Sequence, residues 1–283
     1  MRGQVYKVHT DSYLVKCGEE LCNCKARGVL KLRRNGILVG DFVEVENNVI
    51  VSVCARKNRF IRPNVANIDL IIAVVSPEPK PDFLLVDKLL LNANKEGVKF
   101  VIAVNKQDLD TNLYDYVVKE YGSLGIEILT ISAKTKDGLV EFKNLLSGKL
   151  TVLAGQSAAG KTSIVNSIFN LTQRVGELSE KISRGKHTTT RSEIFELDGV
   201  RLVDSPGFAV IDAMVSVEEL PDCYDEYFSV SSECKYRGCC HISEPDCKVK
   251  ELVSASKLSK DRYDRYVEIY KEILERRNNY EKD

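Results

Sequence analysis

The chain has 283 residues, of which 43% are hydrophobic and 29% are charged, as in a globular protein of two or three domains. Its 41 basic and 41 acidic residues cancel, so any surface for a polyanion must be local. No apolar run approaches the roughly 18 residues of a membrane span, and the segment after Met1 lacks the apolar core of a signal peptide. We therefore expect a cytoplasmic protein with no membrane partner.

Residues 1–63 contain short, valine-rich alternating segments with turn residues about every ten positions, which predicts a small all-β barrel. Twelve basic and six acidic residues give this segment a net charge of +6. A basic barrel is a reasonable nucleic-acid surface, although a solvated barrel with incidental lysines explains the charge equally well. The pattern changes after Arg62-Pro63, which indicates a domain boundary.

Beyond Pro63, apolar strand patterns alternate with helical patterns. The predicted strands are 68–75, 98–104, 126–131 and 150–154, and the predicted helices are 83–95, 113–121 and 139–146. This alternation predicts a parallel sheet covered by helices on both faces, with ligands at the carboxyl ends of its strands.

Two short motifs follow strands of this sheet and predict a guanine site. In Asn105-Lys106-Gln107-Asp108, the Asp108 carboxylate can accept hydrogen bonds from guanine N1–H and the 2-amino group, a donor pair that adenine lacks. Asn105 can bond the other base edge, and the Lys106 stem can pack along the base. The backbone N–H groups of Ser132-Ala133-Lys134 are expected to meet the guanine carbonyl. Each motif alone is weak evidence for a guanine site, and the two motifs at strand ends of one sheet are much stronger evidence.

A glycine loop between the fourth strand and a helical pattern predicts a phosphate site. Backbone N–H groups in such a loop wrap phosphates at the positive end of a helix. Lys161 is expected to reach the β- and γ-phosphates as a catalytic cation, and the Thr162 hydroxyl to bind Mg²⁺. The predicted phosphate-binding residues of this loop are Gly155, Gln156, Ser157, Ala158, Ala159, Gly160, Lys161, Thr162 and Ser163.

Two polar segments after the phosphate loop resemble nucleotide-dependent switches. The first spans about 171–191 and ends in His187-Thr188-Thr189-Thr190, and Thr189 or Thr190 is expected to complete the magnesium shell. The second, Asp204-Ser205-Pro206-Gly207-Phe208, follows a predicted hairpin strand. Asp204 is expected to hold Mg²⁺, and the Gly207 N–H to contact the γ-phosphate.

Five of the nine cysteines lie between residues 223 and 247. Among them, Cys234, Cys239, His241 and Cys247 offer three thiolates and one imidazole, the ligands of a closed structural zinc site. Residue types alone leave Cys240 as an alternative to Cys239. The tail from residue 256 is helical in character, and it either covers the zinc module or contacts RNA through its tyrosines and arginines.

In sequence order the motifs run base motif, Ser-Ala-Lys, phosphate loop, threonine loop and Asp-x-x-Gly, a circular permutation of the usual GTPase order. With the preceding barrel and the following cysteine cluster, the whole chain resembles the RsgA (YjeQ) family of circularly permuted GTPases of small ribosomal subunit maturation. The resemblance implies an OB-fold barrel at 1–63, a circularly permuted α/β P-loop GTPase domain at 64–212, and a zinc-binding domain with helices at 213–283.

The resemblance also implies function. It implies a monomer that binds rRNA of the 30S subunit, hydrolyses GTP with Mg²⁺ when stimulated by that subunit, couples hydrolysis to release, and carries one structural Zn²⁺ ion on Cys239 rather than Cys240. Phe208 replaces the water-orienting glutamine of Ras-type enzymes, and His187 takes that role by resemblance. Ala158 departs from the family's glycine, which matters only if the position needs a positive φ. The alternative function is a GTP-gated RNA-binding module with negligible intrinsic hydrolysis.

Overall fold

The computed structural model describes residues 1–31, 36–61, 63–168, 192–204 and 211–280. These residues form an N-terminal barrel, a central sheet with helices on both faces, and a C-terminal helical unit that carries the cysteine cluster. Within the described ranges, no helix has the length and apolar character needed to cross a bilayer.

The N-terminal barrel contains five strands: β1 (Arg2–Val8), β2 (Tyr13–Cys17), β3 (Glu20–Ala26), β4 (Phe42–Glu46) and β5 (Val49–Val53). A short helix, α1 (Gly28–Lys31), follows β3. The strand order β1-β2-β3-β5-β4 closes through pairing of β1 with β4. Alternate side chains, including Val5, Val15, Val43 and Ile50, fill the interior because the side-chain period of a strand is two. The predicted barrel is confirmed.

A two-stranded ribbon, β6 (Arg59–Phe60) with β7 (Val65–Ala66), leads from the barrel into the central sheet. The strands of that sheet are β8 (Leu70–Val75), β9 (Lys99–Val104), β10 (Glu127–Thr130), β11 (Leu150–Ala154), β12 (Glu193–Leu197) and β13 (Val200–Asp204). They lie in the order β10-β9-β8-β11-β13-β12, and every pairing except β12 with β13 is parallel.

Among the described residues, four helices cover the two faces of this sheet: α2 (Phe83–Glu96), α3 (Asn112–Tyr121), α4 (Leu139–Leu146) and α5 (Lys161–Ile168). A 3-10 turn, Gly122–Leu124, extends α3. Successive residues of β8 alternate between the cluster that contains α2 and α3 and the cluster that contains α4 and α5. Burial on both faces explains why β8 is an unbroken apolar run in the sequence.

The C-terminal unit consists of α6 (Asp225–Phe228), α7 (Lys248–Ser254) and the long α8 (Lys260–Tyr280), with 3-10 turns at Pro221–Cys223 and Ser231–Glu233. Its core is aromatic: Tyr224 and Tyr227 stack at 5.1 Å between ring centroids, and Tyr266 meets both edge-on. Leu91 of α2 packs into the same cluster, so this core is shared with the central unit.

The barrel and the central sheet are joined by strand pairing. Lys7 of β1 lies opposite Glu193 of β12, and their side chains form an ion pair at 2.6 Å. The Arg201 guanidinium donates to the Gln4 side chain at 2.9 Å. An eleven-stranded sheet results, which ties the barrel to the strand that follows the predicted threonine loop.

Barrel closure also depends on a buried ion pair. Asp41 is 0% exposed and accepts two bonds from Arg56, each at 2.7 Å, and one from the Leu38 N–H at 2.8 Å. We expect Asp41→Asn to lower the free energy of unfolding by about 3 kcal/mol, because it leaves the Arg56 guanidinium without its counter-charge. Urea denaturation measures this change.

The matched control is Glu46→Gln, which removes an ion pair to Arg27 of 3.7 Å whose side chains are 66% and 61% exposed. Its effect should stay below about 0.5 kcal/mol. Equal effects of the two substitutions on the free energy of unfolding would contradict a stabilising role of the buried ion pair between Asp41 and Arg56.

Candidate functional site

The carboxyl ends of β9, β10 and β11 bring the two base motifs and the phosphate loop together. The link is Asn105, which is 1% exposed. Its Nδ2 donates to the Ala159 carbonyl of the phosphate loop at 2.9 Å, and its Oδ1 accepts from the Ala133 N–H at 3.3 Å. Both ends of the amide are therefore bound within the protein. Asn105 therefore holds the phosphate loop and the loop after β10 together, and its expected contact with the base edge stays a prediction.

Close contact with Asn105 explains one glycine of the phosphate loop. Gly160 has φ of +95°, and a Cβ there would overlap the Asn105 amide nitrogen. Gly155, with φ of +132°, is pressed equally tightly against the Val74 carbonyl of β8. Neither position has room for a side chain, so both glycines are required by packing as well as by backbone conformation.

Asp108 and Ser132 form one hydrogen-bonded group beside this junction. The Ser132 hydroxyl donates to Asp108 Oδ1 at 2.7 Å, and Lys134 Nζ lies 3.8 Å from Oδ2. The Ser132 bond, with support from the nearby Lys134 and Lys106 charges, lowers the pKa of Asp108. The carboxylate is therefore ionised and oriented, as an acceptor for two N–H donors must be.

Lys106 connects the base motif to a loop that the sequence did not implicate. Its Nζ donates to the Ala158 carbonyl at 3.0 Å and to the Glu78 carbonyl at 2.5 Å. Residue 78 belongs to the loop between β8 and α2, which therefore borders the site. The motif spacing gave no indication of this contact, because only the sheet order β9-β8-β11 places that loop beside the phosphate loop.

The phosphate loop curls around the Lys161 ammonium group. Lys161 Nζ donates to the carbonyls of Gly155 and Gln156 at 2.7 and 2.8 Å, and burial lowers its pKa. Helix α5 starts at Lys161, so Thr162 and Ser163 lie in its first turn. This arrangement of a glycine loop, a lysine and a helix N-terminus suits a phosphate chain.

Ala158 occupies the left-handed region with φ of +64°. The substitution for the family's glycine therefore falls where a Cβ is costly, by about 1 kcal/mol. Strain of this kind is found at ligand-binding loops whose surroundings fix the backbone. Here the Lys106 bond to its carbonyl is one such restraint.

Asp204 ends β13, which pairs with the strand that precedes the phosphate loop. Burial raises its pKa to about 6, and the charge of Glu193, its cross-strand partner, adds to the shift. A buried carboxylate with a raised pKa favours a nearby cation, because the cation stabilises its charged form. Asp204 and Thr162 are the two predicted magnesium ligands that lie within the described residues. The other predicted switch residues, His187, Thr188, Thr189, Thr190 and Gly207, lie outside the described residues.

The C-terminal cluster brings all four predicted zinc ligands together. The ligand atoms of Cys234, Cys239, His241 and Cys247 lie within 4.8 Å of one another. His241 is 0% exposed, and its Nδ1 faces the sulfurs of Cys247 at 3.3 Å and Cys234 at 3.7 Å. Three sulfurs and one imidazole nitrogen at these spacings fit a tetrahedral zinc ion. Cys240 stands outside this group, so the structure favours Cys239.

Burial shapes the chemistry of this cluster. It raises the pKa of the Cys239 thiol to about 12 and also raises that of Cys247. Thiolates in such a place require a cation, so the donor set is suited to a metal rather than to a reactive thiol.

Helix α8 supports the cluster through two tyrosines that the linear motif did not single out. Tyr263 donates to the His241 carbonyl at 2.7 Å, and Tyr266 donates to the Cys240 carbonyl at 2.6 Å. The Glu244 carboxylate accepts from the N–H groups of Cys240 and Ile242 at 2.7 and 2.9 Å. The tail therefore covers the cysteine module. The sequence left two roles open for this tail, and these contacts support the one in which it covers the module.

Comparison with known proteins agrees with this architecture. Residues 53–214 match the family model of the RsgA GTPase, and residues 2–49 match that of the RsgA N-terminal domain. The small ribosomal subunit biogenesis GTPase RsgA of Agathobacter rectalis is 39% identical over 271 residues, which cover 92% of this chain and 90% of that protein.

Two solved structures share the fold. The crystal structure of YjeQ from Thermotoga maritima has a TM-score of 0.80 at 32% identity and covers 96% of this chain and 98% of that one. The structure of YloQ, a circularly permuted GTPase, has a TM-score of 0.76 at 28% identity and covers 97% and 95% of the respective chains.

The positive φ of Ala158 makes a prediction about stability. We expect Ala158→Gly and Ala158→Asn to raise the free energy of unfolding by about 0.5 kcal/mol, because both residues tolerate the left-handed region better than alanine. We expect Ala158→Val to lower it by about 1 kcal/mol, because β-branched residues tolerate that region least. Chemical denaturation gives the order of stability of the three variants. A valine variant as stable as the glycine variant would contradict backbone strain at Ala158.

Proposed function

Because the chain belongs to the RsgA GTPase family, we propose that this GTPase acts in late maturation of the small (30S) ribosomal subunit. It binds rRNA of that subunit and couples GTP hydrolysis to its own release. The observation that carries the proposal is near-full-length similarity to relatives named as small ribosomal subunit biogenesis GTPases, together with a nucleotide site whose loops meet at one sheet edge. The protein works as a monomer in the cytoplasm.

The base is selected by the loops that follow β9 and β10. Asp108, held by Ser132, accepts from guanine N1–H and the 2-amino group, while backbone N–H groups at Ala133 and Lys134 meet the guanine carbonyl. The Lys106 stem packs along the base. Asn105 bonds the other edge of the base, and its amide also holds together the loops that carry these groups.

The phosphates bind to the backbone N–H groups of residues 155–163. Lys161 neutralises the β- and γ-phosphates, so it stabilises charge that moves during transfer. Thr162, Asp204 and either Thr189 or Thr190 would hold Mg²⁺, which would offset the charge of the phosphates. The Gly207 N–H contacts the γ-phosphate.

By family resemblance His187 orients the attacking water, so His187→Ala should retain GTP affinity and lose stimulated turnover.

The remaining units provide contacts with the ribosome. The proposed divisions are a barrel at 1–63 that binds RNA through its net positive charge, the GTPase domain at 64–212, and a zinc-binding unit at 213–283. Cys234, Cys239, His241 and Cys247 hold one structural Zn²⁺ ion, and a closed shell of four protein ligands leaves no position for catalysis.

The experiment that tests the proposed function measures GTP hydrolysis alone, with 30S subunits and with 50S subunits, at stated salt. We expect stimulation by 30S only, together with co-sedimentation that is stronger with a non-hydrolysable GTP analogue than with GDP. Stimulation by 50S alone, or equal binding to both subunits, would refute the assigned partner. Single-turnover rates that 30S leaves unchanged would instead favour a GTP-gated binding module.

The guanine assignment predicts a change of nucleotide preference. Asp108→Asn should weaken GTP binding by at least about a hundredfold, because a carboxylate acceptor becomes an amide that faces N–H donors. The same variant should bind xanthosine triphosphate more tightly than wild type does, because xanthine presents a carbonyl at position 2. Competition against a fluorescent nucleotide measures both effects. Asp110→Asn, two residues away in the same loop, is the control and should keep the preference for GTP.

Two adjacent cysteines allow a matched test of the zinc shell. Cys239→Ser should reduce the zinc content from about one ion per chain to almost none and unfold the C-terminal unit, whose metal contributes on the order of 10 kcal/mol. Cys240→Ser should retain the metal, because that thiol lies outside the four-ligand group. Elemental analysis and thermal unfolding provide the measurements. Equal zinc loss in both variants would contradict the choice of Cys239 over Cys240 as the zinc ligand.

A further inference from the structure

The loop before helix α2 is bonded to the phosphate loop by the side chain of Gln156. Its Oε1 accepts from the Asp82 N–H at 2.6 Å, and its Nε2 donates to the carbonyls of Lys80 at 2.8 Å and Pro79 at 3.3 Å. Asp82 in turn caps α2, because its Oδ1 accepts from the Leu85 N–H at 2.9 Å. One side chain therefore connects the phosphate loop to the first turn of α2.

The middle of α2 is held by two arginines from helix α8. Asp87 is 1% exposed, and its two oxygens accept from Arg262 Nη1 and from Arg265 Nε, the latter at 2.5 Å. Arg262 also bonds Glu226 of α6 at 2.5 Å, and Arg265 bonds Glu120 of α3 at 3.1 Å. A relative shift of α2 and α8 would leave a buried charge unpaired, which is costly. The two helices are therefore coupled.

The far end of α2 holds the start of the C-terminal unit. Asn92 Nδ2 donates to the Asp212 carbonyl at 2.9 Å, and Asn92 Oδ1 accepts from the Met214 N–H at 2.9 Å. Lys95 Nζ donates to the Met214 carbonyl at 2.7 Å. Helix α2 thus contacts the phosphate loop at one end and the C-terminal unit along the rest of its length.

We propose that Gln156 is a positioning residue that couples nucleotide binding to the C-terminal unit through helix α2. The inference rests on the proposed function only in requiring that the phosphate loop binds a guanine nucleotide. Phosphates bound to the loop backbone fix the position from which Gln156 reaches Asp82. A fixed Asp82 holds the first turn of α2, and α2 presents Asp87 to Arg262 and Arg265.

Coupling of this kind is reciprocal: whatever steadies α8 on α2 also tightens nucleotide binding by the same factor. The bound nucleotide then affects the zinc-bearing unit by a route that does not pass through the Asp-x-x-Gly segment. The groups involved are side-chain amides, carboxylates and guanidinium groups that are already paired in the structure.

The first test is hydrogen–deuterium exchange of the zinc-loaded full chain, with and without saturating GDP. GDP should slow exchange of the amides in residues 260–272 about fivefold in wild type, the low end of typical couplings. Gln156→Ala should abolish this slowing even when GDP is saturating. Lys80→Ala is the control: it alters the same loop, keeps the carbonyl that Gln156 contacts, and should respond as wild type does. Wild-type slowing in Gln156→Ala would overturn the inference.

The second test avoids breaking the buried network. Lys88→Met removes an ion pair of 2.7 Å between α2 and Glu272 of α8 and leaves Asp87 paired. It should weaken GDP affinity about twofold in the wild-type background, and it should have no effect in the Gln156→Ala background. An equal effect in both backgrounds, including none in either, would contradict the coupling.

Failure of the inference and failure of the proposed function are distinguishable. A chain that binds GDP and shows the coupling but is not stimulated by 30S subunits would refute the proposed function and leave the inference intact. Stimulated hydrolysis by wild type, combined with unchanged GDP-dependent slowing in Gln156→Ala, would remove the inference alone.

Discussion

The nucleotide site depends on one buried amide. The Asn105 side chain donates to the Ala159 carbonyl of the phosphate loop and accepts from the Ala133 N–H in the loop after β10. It has almost no exposure to solvent. A replacement that lacks either the donor or the acceptor would leave a buried backbone group unpaired, at a cost of about 1–3 kcal/mol. The parallel order β10-β9-β8-β11 makes this link possible, because it gathers loops that are 54 residues apart in the chain at one edge.

Around this link the phosphate loop has little freedom. Two of its glycines face neighbouring atoms so closely that no side chain fits, and Ala158 holds a left-handed conformation that alanine resists. The strain persists because neighbouring contacts restrain the backbone, chiefly the bond from Lys106 to the Ala158 carbonyl. A loop restrained in this way is already shaped for phosphate before binding, which reduces the ordering cost of the ligand.

The three units are connected by buried or half-buried charges rather than by flexible linkers alone. The barrel contacts β12 through Lys7 and Glu193, and helix α8 contacts α2 through Asp87. Since β12 pairs with the strand that ends at Asp204, a barrel contact lies next to the proposed magnesium site. Both attachments therefore lie on elements that adjoin the loops of the nucleotide site.

Local sequence patterns were sufficient for the element types, the barrel, the parallel sheet and the cluster of three cysteines and one histidine, because each depends on short-range periodicity or on residue spacing. The sequence also showed that Ala158 departs from the family's glycine, but it could not give the sign of φ there, which belongs to a folded loop where Lys106 bonds the Ala158 carbonyl. The sequence did not reveal that the Asn105 amide bonds Ala159 and Ala133, since motif spacing records no contact between loops that are distant in the chain.

Only the tertiary structure assigned Gln156 to the loop before α2, Asp87 to two arginines more than 170 residues away, and Tyr263 and Tyr266 to the loop that carries the cysteine cluster. In each case a polar group pairs with a partner that is distant in the chain, and no periodicity records such a pairing. Burial forces these groups to find partners, and the order of the strands and the packing of the helices decide which partners lie within reach.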